Sequence, residues 1–196
     1  MRATIILLSA GLVLAGCQKK AEESAPAAAT THTINNSMTQ VMEPSAEAIW
    51  DTMSKAYNDK GDALDPSKLT EADWKTIADA SAAMKARTEE IANAKTHVVA
   101  APNEPILGSQ AVGTASPPGP EWAAVGAAHV QKLIEAQPAL FKQKALALVD
   151  SMARINRAAG SKDVVTLYQV GSELDEVCDS CHEPFWGTDE PPPAAK

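Results

Sequence analysis

Apolar side chains recur along this chain at alternating steps of three and four residues, the spacing that places them on one face of an α-helix. The clearest series is Trp74, Ile77, Ser81, Met84, Thr88 and Ile91. The sequence contains no alternating strand pattern of useful length, and its low glycine and aromatic content also favours helices. It therefore predicts an all-α protein, most simply a four-helix bundle, with helices over 34–58, 67–97, 119–159 and 161–186.

Turn-forming residues separate these predicted helices. The stretch 58–66 contains Asn, Asp, Gly and Pro and predicts a turn between the first two helices. Residues 101–120 are rich in Pro and Gly and predict a long irregular crossover. Pro138 cannot donate a backbone hydrogen bond, so it either kinks the third helix or splits it in two.

Several helix ends carry capping signals. Thr70, followed three residues later by Asp73, is close to a capping box at the start of the second helix. Gly160 is expected to end the third helix, and Ser161 is expected to be the N-cap of the last one. Asp163 would favour the first turn of that helix electrostatically.

The first residues are typical of an export signal. Arg2 supplies a positive charge, and the apolar stretch after it is too short to span a bilayer. This stretch ends in Leu14-Ala15-Gly16-Cys17, which resembles the lipobox of bacterial lipoproteins; the alternative is an ordinary secretory signal with a chance cysteine. We therefore expect residues 1–16 to be a signal peptide and Cys17 to be acylated, which would anchor the protein to a membrane.

Segments without apolar periodicity flank the expected domain. Residues 17–33 predict a flexible tether, and the Pro-rich residues 188–196 predict a disordered tail, which leaves the folded domain at 34–187. Gln18 is not the aspartate that lipoprotein sorting usually reads as inner-membrane retention. We therefore expect a bacterial periplasmic protein on the inner face of the outer membrane.

The chain carries a net charge of -8 and no basic stripe, so nucleic acid is not an expected partner. The acidic surface could steer a basic redox partner, or it could simply keep the protein solvated. The sequence has no paired-carboxylate, Ser-His-Asp or phosphate-loop arrangement, and a hydrolase or kinase is not expected.

Two of the three cysteines lie in the motif Cys178-Asp179-Ser180-Cys181-His182. On a helix, cysteines three residues apart project to one side, and each can form a thioether with a haem vinyl group. His182 could then be the proximal ligand of the iron. Since Cys17 is assigned to the lipid, no cysteine remains for another structural role. The motif predicts one covalently attached haem c.

Three other interpretations of the motif remain open. A thioredoxin-like dithiol usually has its first cysteine at a helix N-terminus, whereas both cysteines are expected here near a helix C-terminus. A zinc site would need further ligands, and His32, His97 and His129 are scattered along the chain. A disulfide between Cys178 and Cys181 within one helix would be strained. We expect His129 to be a packed or half-exposed side chain.

The motif lies near the end of a helical chain, and here the sequence resembles the class II c-type cytochromes, the cytochrome c prime family and its low-spin relatives. The resemblance rests on Lys162-Asp163-Val164-Val165-Thr166-Leu167, on Gly171, and on Cys178-Asp179-Ser180-Cys181-His182-Glu183-Pro184-Phe185. It implies an antiparallel four-helix bundle with haem between the helices and the haem motif on the last helix. Family members often carry a basic residue just after the Phe, where this chain has Trp186.

The resemblance also implies a candidate for the sixth iron ligand, because the low-spin relatives use a methionine of the first helix. Met42 is the first choice and Met38, on the same helical face, is the second. Pro44 cannot donate to the carbonyl of Gln40, so the helix is expected to kink or restart beside the haem. Alternatively, both methionines fill the core and the iron is five-coordinate.

These expectations combine into a periplasmic, lipid-anchored, mono-haem c-type cytochrome that carries electrons and is not an enzyme. One alternative is a five-coordinate haemoprotein that binds nitric oxide or carbon monoxide. Another is a haem-free, structural helical lipoprotein. The redox partner protein stays unidentified, and the resemblance leaves open a homodimer, since family members often dimerise through their first two helices.

Overall fold

The computed structural model describes residues 32–102, 104, 106 and 126–186. Within these ranges the chain forms helices and turns, with a single isolated bridge between Tyr57 and Leu64, so the all-α prediction is confirmed. The helices are α1 (Ile34–Ser37), a π-helical segment (Met38–Met42), α2 (Glu43–Ser54), a 3-10 turn (Pro66–Lys68), α3 (Glu71–Asn93), α4 (Ala127–Ala136), α5 (Pro138–Ser161), α6 (Val164–Ser172) and α7 (Leu174–Trp186).

Several sequence predictions fall on other residues. The described residues do not include the signal peptide, Cys17, the C-terminal tail, nearly all of the tether or most of the 101–120 crossover. These features stay predictions.

The long helices share one hydrophobic core. α3 packs along α5 most extensively, and α2 lies against α3. α5 also contacts α6 and α7, while α4 contacts α7. The most deeply buried large side chains are Ile49, Ile77, Met84, Met152, Ile155, Leu167 and Leu174. The motif helix α7 is therefore held from two sides, by α4 and by α5.

The predicted face of the second helix is confirmed in full, because all six of its members are buried on α3. The predicted capping box is present as well: the Asp73 N–H donates to the Thr70 hydroxyl, and the Asp73 carboxylate accepts from the Thr70 N–H. Lys55 forms an ion pair with Asp73 at 2.8 Å. The Lys55 ammonium, followed by the Thr70 hydrogen bonds, lowers the pKa of Asp73 to about 2. The start of α3 is thus fixed to the end of α2.

Helix boundaries depart from the sequence prediction at the turn between the first two helices. The first helix was predicted to reach 58 but ends at Ser54, and the second was predicted from 67 but begins at Glu71. The intervening loop contains Gly61, whose φ of 72° lies in the left-handed region that glycine adopts without strain. The side-chain oxygens of Asn58 and Asp65 accept backbone N–H groups two residues later, and these local hydrogen bonds compete with helix in this loop.

Pro138 splits the predicted third helix. α4 ends at Ala136, Gln137 adopts φ −132° and ψ 52°, and α5 restarts with Pro138 at its first position. This outcome follows from the proline ring, which clashes with the preceding turn but suits the start of a helix, where its missing N–H has no partner to lose.

The junction between α5 and α6 lies two to three residues later than predicted. Gly160 does not end the third helix, which runs to Ser161, and Ser161 is not the N-cap of the next helix. Lys162 instead takes the left-handed conformation, with φ 55°, that commonly ends a helix. Asp163 is the N-cap, since its carboxylate accepts the Thr166 N–H at 3.1 Å. A carboxylate at this position both caps the helix and complements its dipole.

The first helix widens into a π-helical segment at Met38–Met42, directly before Pro44. The Glu43 N–H donates to the Met38 carbonyl, five residues earlier. Pro44 has no N–H to donate to the carbonyl of Gln40. The π segment accommodates this missing bond, because its hydrogen bonds connect residues five apart instead of four. The chain therefore stays helical through Pro44, with a π-helical turn where a kink or a restart was predicted, and a position beside the haem stays a prediction.

The last predicted helix is broken at Glu173 into α6 and α7. Gly171 and Ser172, two weak helix formers, precede the break. Gly171 also permits a close approach of α2: a Cβ at residue 171 would lie 2.3 Å from the sulfur of Met53. The Trp50 indole N–H donates to the Gly171 carbonyl at 3.2 Å. The glycine therefore serves the packing of α2 on α6 and places the break just before α7.

Candidate haem site on the last helix

Cys178, Cys181 and His182 occupy positions i, i+3 and i+4 of α7, which places all three on one side of the helix. Both cysteines are half-buried and pack against the hydrophobic core, whereas His182 is exposed. No disulfide joins Cys178 to Cys181. The motif therefore presents two thiols towards the core and an imidazole beside them.

The surroundings of the two thiols oppose their ionisation. Burial, followed by the charges of Asp175 and Asp179, raises the pKa of Cys178 to about 11. Burial also raises the pKa of Cys181 to about 11, although the charge of Lys144 partly opposes the shift. A redox dithiol requires the opposite, because a lowered pKa is what makes its attacking cysteine a thiolate.

The motif lies in the C-terminal part of its helix, as predicted, because α7 ends at Trp186. The start of the helix differs, since the chain breaks at Glu173 and α7 begins at Leu174. Cys178 follows the start of α7 by a full turn, beyond the first three positions where unsatisfied backbone N–H groups stabilise an anion. The position of the cysteines on the helix and the raised pKa values of both thiols therefore oppose a redox dithiol.

The His182 imidazole stays predominantly neutral near pH 7. Although the residue is exposed, protein atoms around the ring remove part of its hydration, which lowers its pKa below 6.5; the charge of Asp179 opposes this shift. The rings of His182 and Trp186 meet edge to face, with their centroids 6.0 Å apart. A neutral imidazole has a lone pair for a metal, so this state suits an iron ligand.

Aromatic packing fixes the end of α7 that follows the motif. Phe185 is 3% exposed and meets Phe141 of α5 edge to face, with ring centroids 5.2 Å apart. The His97 ring also meets Phe141 edge to face, with ring centroids 4.9 Å apart. Such aromatic pairs contribute about 0.5–1.5 kcal/mol beyond their buried area. Phe185 thus packs α7 against α5 within one helical turn of His182.

The charges around the motif are predominantly acidic. From Asp163 to Trp186 the chain contains no Lys or Arg, and Asp175, Glu176, Asp179 and Glu183 are all exposed. Lys144, half-buried on α5, is close enough to Cys181 for its charge to act on the thiol. The basic residue that the family resemblance implied after Phe185 is Trp186 in this chain, and Lys144 brings a positive charge to the motif from another helix.

The two candidate distal ligands lie in the π segment. Met42 is 6% exposed, and its sulfur lies 3.8 Å from the hydroxyl of Thr88 on α3. Met38 is half-buried and packs against the same core. Cys178 and Cys181 also pack on this core. The π segment packs mainly with α1, α2 and α3 in the described part of the chain. Iron ligation by Met42 or Met38 stays a prediction.

A zinc site gains no support in the described part of the chain. There, no three side chains of His, Cys, Asp or Glu come together as a metal-binding group. His129 is half-buried on α4, and His97 directs its Nε2 to the carbonyl of Ile91 at 2.8 Å.

The residues of the motif fit a covalently attached haem. Two thiols on one helical face border an apolar core, and a neutral imidazole follows them, which is the donor set that c-type attachment needs. Cys178 and Cys181 would form the thioethers and His182 would bind the iron. Comparisons with protein-family models, with curated proteins and with solved structures give no match to this chain.

Two residues were overlooked in the sequence: Thr88, which contacts the candidate distal ligand Met42, and Lys144, whose charge acts on Cys181. Thr88 appeared only as a member of the buried face of α3, although a hydroxyl in an otherwise apolar series could have marked it. Lys144 is separated from Cys181 by most of α5 and all of α6, and no pattern in the sequence joins the two. Both residues become visible only when the helices are packed.

Proposed function

We propose that this protein is a mono-haem c-type cytochrome that carries electrons in the bacterial periplasm, tethered to a membrane by a lipid on Cys17. The observation that carries the proposal is the arrangement of Cys178, Cys181 and His182 on one side of α7, with both thiols against the core. Haem, when bound, supplies the one-electron couple of its iron. The chain has no need of catalytic groups for this role.

An antiparallel four-helix bundle is the architecture we propose, with α1, the π segment and α2 as the first rod. The second rod is α3, the third is α4 with α5, and the fourth is α6 with α7. Contacts between α3 and α5 support this order. Lys162, after α5, forms an ion pair with Glu71 at the start of α3, and Asn156, earlier in α5, donates to the Ala78 carbonyl at 2.8 Å. Residues later in α5 therefore contact residues earlier in α3, as antiparallel neighbours require.

The first rod and α3 support the same order. Lys55 follows α2 and pairs with Asp73 in the first turn of α3. At the other end, Arg87 lies late in α3 and donates to the hydroxyl of Ser37, at the end of α1, at 3.4 Å. These rods are joined by a short loop, and short connections favour antiparallel neighbours.

Each residue of the motif has a distinct role in the proposed carrier. Cys178 and Cys181 hold the haem by two thioether bonds and keep it from dissociating. His182 supplies the proximal nitrogen, and Trp186 limits the rotation of its ring. The apolar core beneath the thiols excludes water, which reduces the reorganisation that accompanies electron transfer. The exposed carboxylates of α7 favour a redox partner with a basic surface, with an association rate that falls as salt rises.

Gas binding is the second candidate function. In this candidate the sulfur of Met42 stays in contact with Thr88 on α3 and does not reach the iron, which leaves the distal side of the iron open. Nitric oxide or carbon monoxide could then bind a five-coordinate iron. A haem-free structural lipoprotein is the third candidate, in which the motif occurs by chance.

The absorption spectrum of the mature protein, made in a host with c-type maturation, distinguishes these three candidates. We expect a covalent haem stain after denaturing electrophoresis, a low-spin spectrum, and little change when carbon monoxide is added to the ferrous protein. A high-spin ferrous spectrum that shifts on addition of carbon monoxide would favour gas binding. Absence of the stain would refute both haem proposals and leave the structural lipoprotein.

The proposed anchor rests on Leu14-Ala15-Gly16-Cys17, outside the described residues. No helix in the described part of the chain is long and apolar enough to cross a membrane. We expect the mature wild type to be recovered with membranes and Cys17→Ser to be released or left unprocessed, because several acyl chains hold firmly where a single one binds marginally. Fractionation followed by haem stain measures this. Recovery of the wild type entirely in the soluble fraction would contradict the lipid anchor.

A further inference from the structure

Thr88 places a hydroxyl group inside the apolar face of α3, where the residue is 2% exposed. Its Oγ1 lies 2.7 Å from the carbonyl oxygen of Met84 and 3.8 Å from the sulfur of Met42. Met42 belongs to the π segment, 46 residues away in sequence, and is itself 6% exposed. The hydroxyl is therefore the polar group that links α3 to the candidate distal ligand.

The bond to Met84 does not by itself account for a hydroxyl at this position. In a regular helix the carbonyl of Met84 already accepts the backbone N–H of Thr88, so it needs no second donor. Threonine hydroxyls that bond back to this carbonyl contribute little and slightly destabilise helices. Valine would fill nearly the same volume. Valine could make neither this bond nor the contact with the sulfur of Met42, and of the two only the contact with Met42 joins α3 to another helix.

The neighbouring residue supports the same junction. Arg87 donates to the hydroxyl of Ser37 and forms an ion pair with Glu90 at 3.2 Å. Ser37 immediately precedes the π segment, and Met42 ends it. Two successive residues of α3 therefore contact the two ends of the widened turn, which sets its position relative to α3.

We propose that Thr88 is a positioning residue for the thioether of Met42 and that it tunes the potential of the iron which this sulfur ligates. The inference rests on the proposed function, including ligation by Met42. A thioether sulfur has two lone pairs, so one can bind iron while the other accepts the single hydroxyl proton of Thr88, which would turn to the sulfur from the Met84 carbonyl. A hydrogen bond to a ligand draws electron density from it and stabilises the ferric state less than the ferrous state. Thr88 thus raises the reduction potential, as partners of metal ligands commonly do.

Replacement of the hydroxyl by a methyl group is the direct test. Thr88→Val in the mature holoprotein should keep the covalent haem stain, lower the midpoint potential and shift the far-red sulfur-to-iron band of the ferric form. Thr88→Ser restores the hydroxyl and should return both values towards those of the wild type. Thr76→Val is the matched control: the Thr76 hydroxyl makes the same bond to the carbonyl four residues earlier, at 2.9 Å, but is exposed on α3. We expect no change in that variant.

The outcomes separate this inference from the proposed function. Absence of the haem stain in the wild type would refute the proposal that the protein is a cytochrome. A wild type that holds haem but is high-spin would overturn the role of Thr88 and leave haem binding intact. If Thr88→Val leaves both the midpoint potential and the far-red sulfur-to-iron band unaltered, the proposed role of Thr88 is overturned as well. Should Thr88→Val fail to fold, the ferrous wild type still decides, because the nuclear Overhauser effect between the methyl groups of Met42 and Thr88 must be present.

Discussion

Substitution of both Cys178 and Cys181 by alanine is expected to abolish covalent haem completely. Each thiol provides one thioether bond, and the described chain offers no other cysteine near α7 that could replace them. Denaturing electrophoresis removes any haem that is held only by coordination, so the stain reports the covalent bonds alone. The double variant should show no stain, while each single variant retains one thioether and a weaker stain.

Ser180→Ala is the matched control for this experiment. Ser180 lies between the two cysteines on the same helix, and its hydroxyl bonds only back to the carbonyl of Val177, at 2.9 Å. Its removal leaves the thiols and His182 in place, so this variant should stain like the wild type. A covalent stain that persists in the double cysteine variant would contradict the assignment of the haem to α7.

Substitution of Met42 by alanine should eliminate the far-red sulfur-to-iron band and let carbon monoxide bind the ferrous protein readily. Met/His ligation raises the potential and produces a low-spin iron. Without the thioether, the sixth position opens and the spectrum becomes high-spin. Optical titration with carbon monoxide, together with the ferric spectrum, measures both effects.

Controls for Met42→Ala must separate ligation from packing. Truncation of a buried methionine typically costs about 2–5 kcal/mol of stability, whereas replacement by leucine usually costs less than about 1.5 kcal/mol. Met42→Leu should therefore fold like the wild type yet lose the band. Met38→Ala should keep it. If the band is lost in Met38→Ala but kept in the Met42 variants, Met38 is the iron ligand. A high-spin wild type would rule out methionine ligation.

Local features of the fold were predictable where one strong signal acts alone. The buried face of α3 follows from its regular spacing, the capping box from Thr70 and Asp73, and the split at residue 138 from the proline ring. These effects depend on residues within one or two turns of each other. Tertiary packing reinforces them here and does not override them.

Other boundaries were missed because two local preferences compete. Ser161 and Asp163 are both good N-caps, and the structure selects Asp163, while Lys162 takes the left-handed conformation that Gly160 was expected to provide. The break before α7 involves Gly171, whose absent side chain leaves room for Met53. The packing partner on α2 could not be inferred from the α6 sequence alone.

The candidate site divides in the same way. Cys178, Cys181 and His182 are adjacent in sequence, so their common helical face was predictable. The contacts that surround them come from distant helices: Phe141 and Lys144 from α5, and Thr88 from α3 for the predicted distal ligand. Spacing within one segment carries no information about which residues of another segment it meets.

The π segment has a consequence for how this chain can vary. A turn of π-helix holds about one residue more than a turn of α-helix, so the residues before Met38 and those after Met42 are out of phase. Deletion of a single residue within 38–42 would remove the extra residue and restore one uninterrupted α-helix, in which the residues on both sides keep their present faces. The same deletion within α2 would instead rotate one part of the helix by about 100° relative to the other. The π segment is therefore the place in the first helix where the loss of one codon would leave the inward-facing side chains on both sides unchanged.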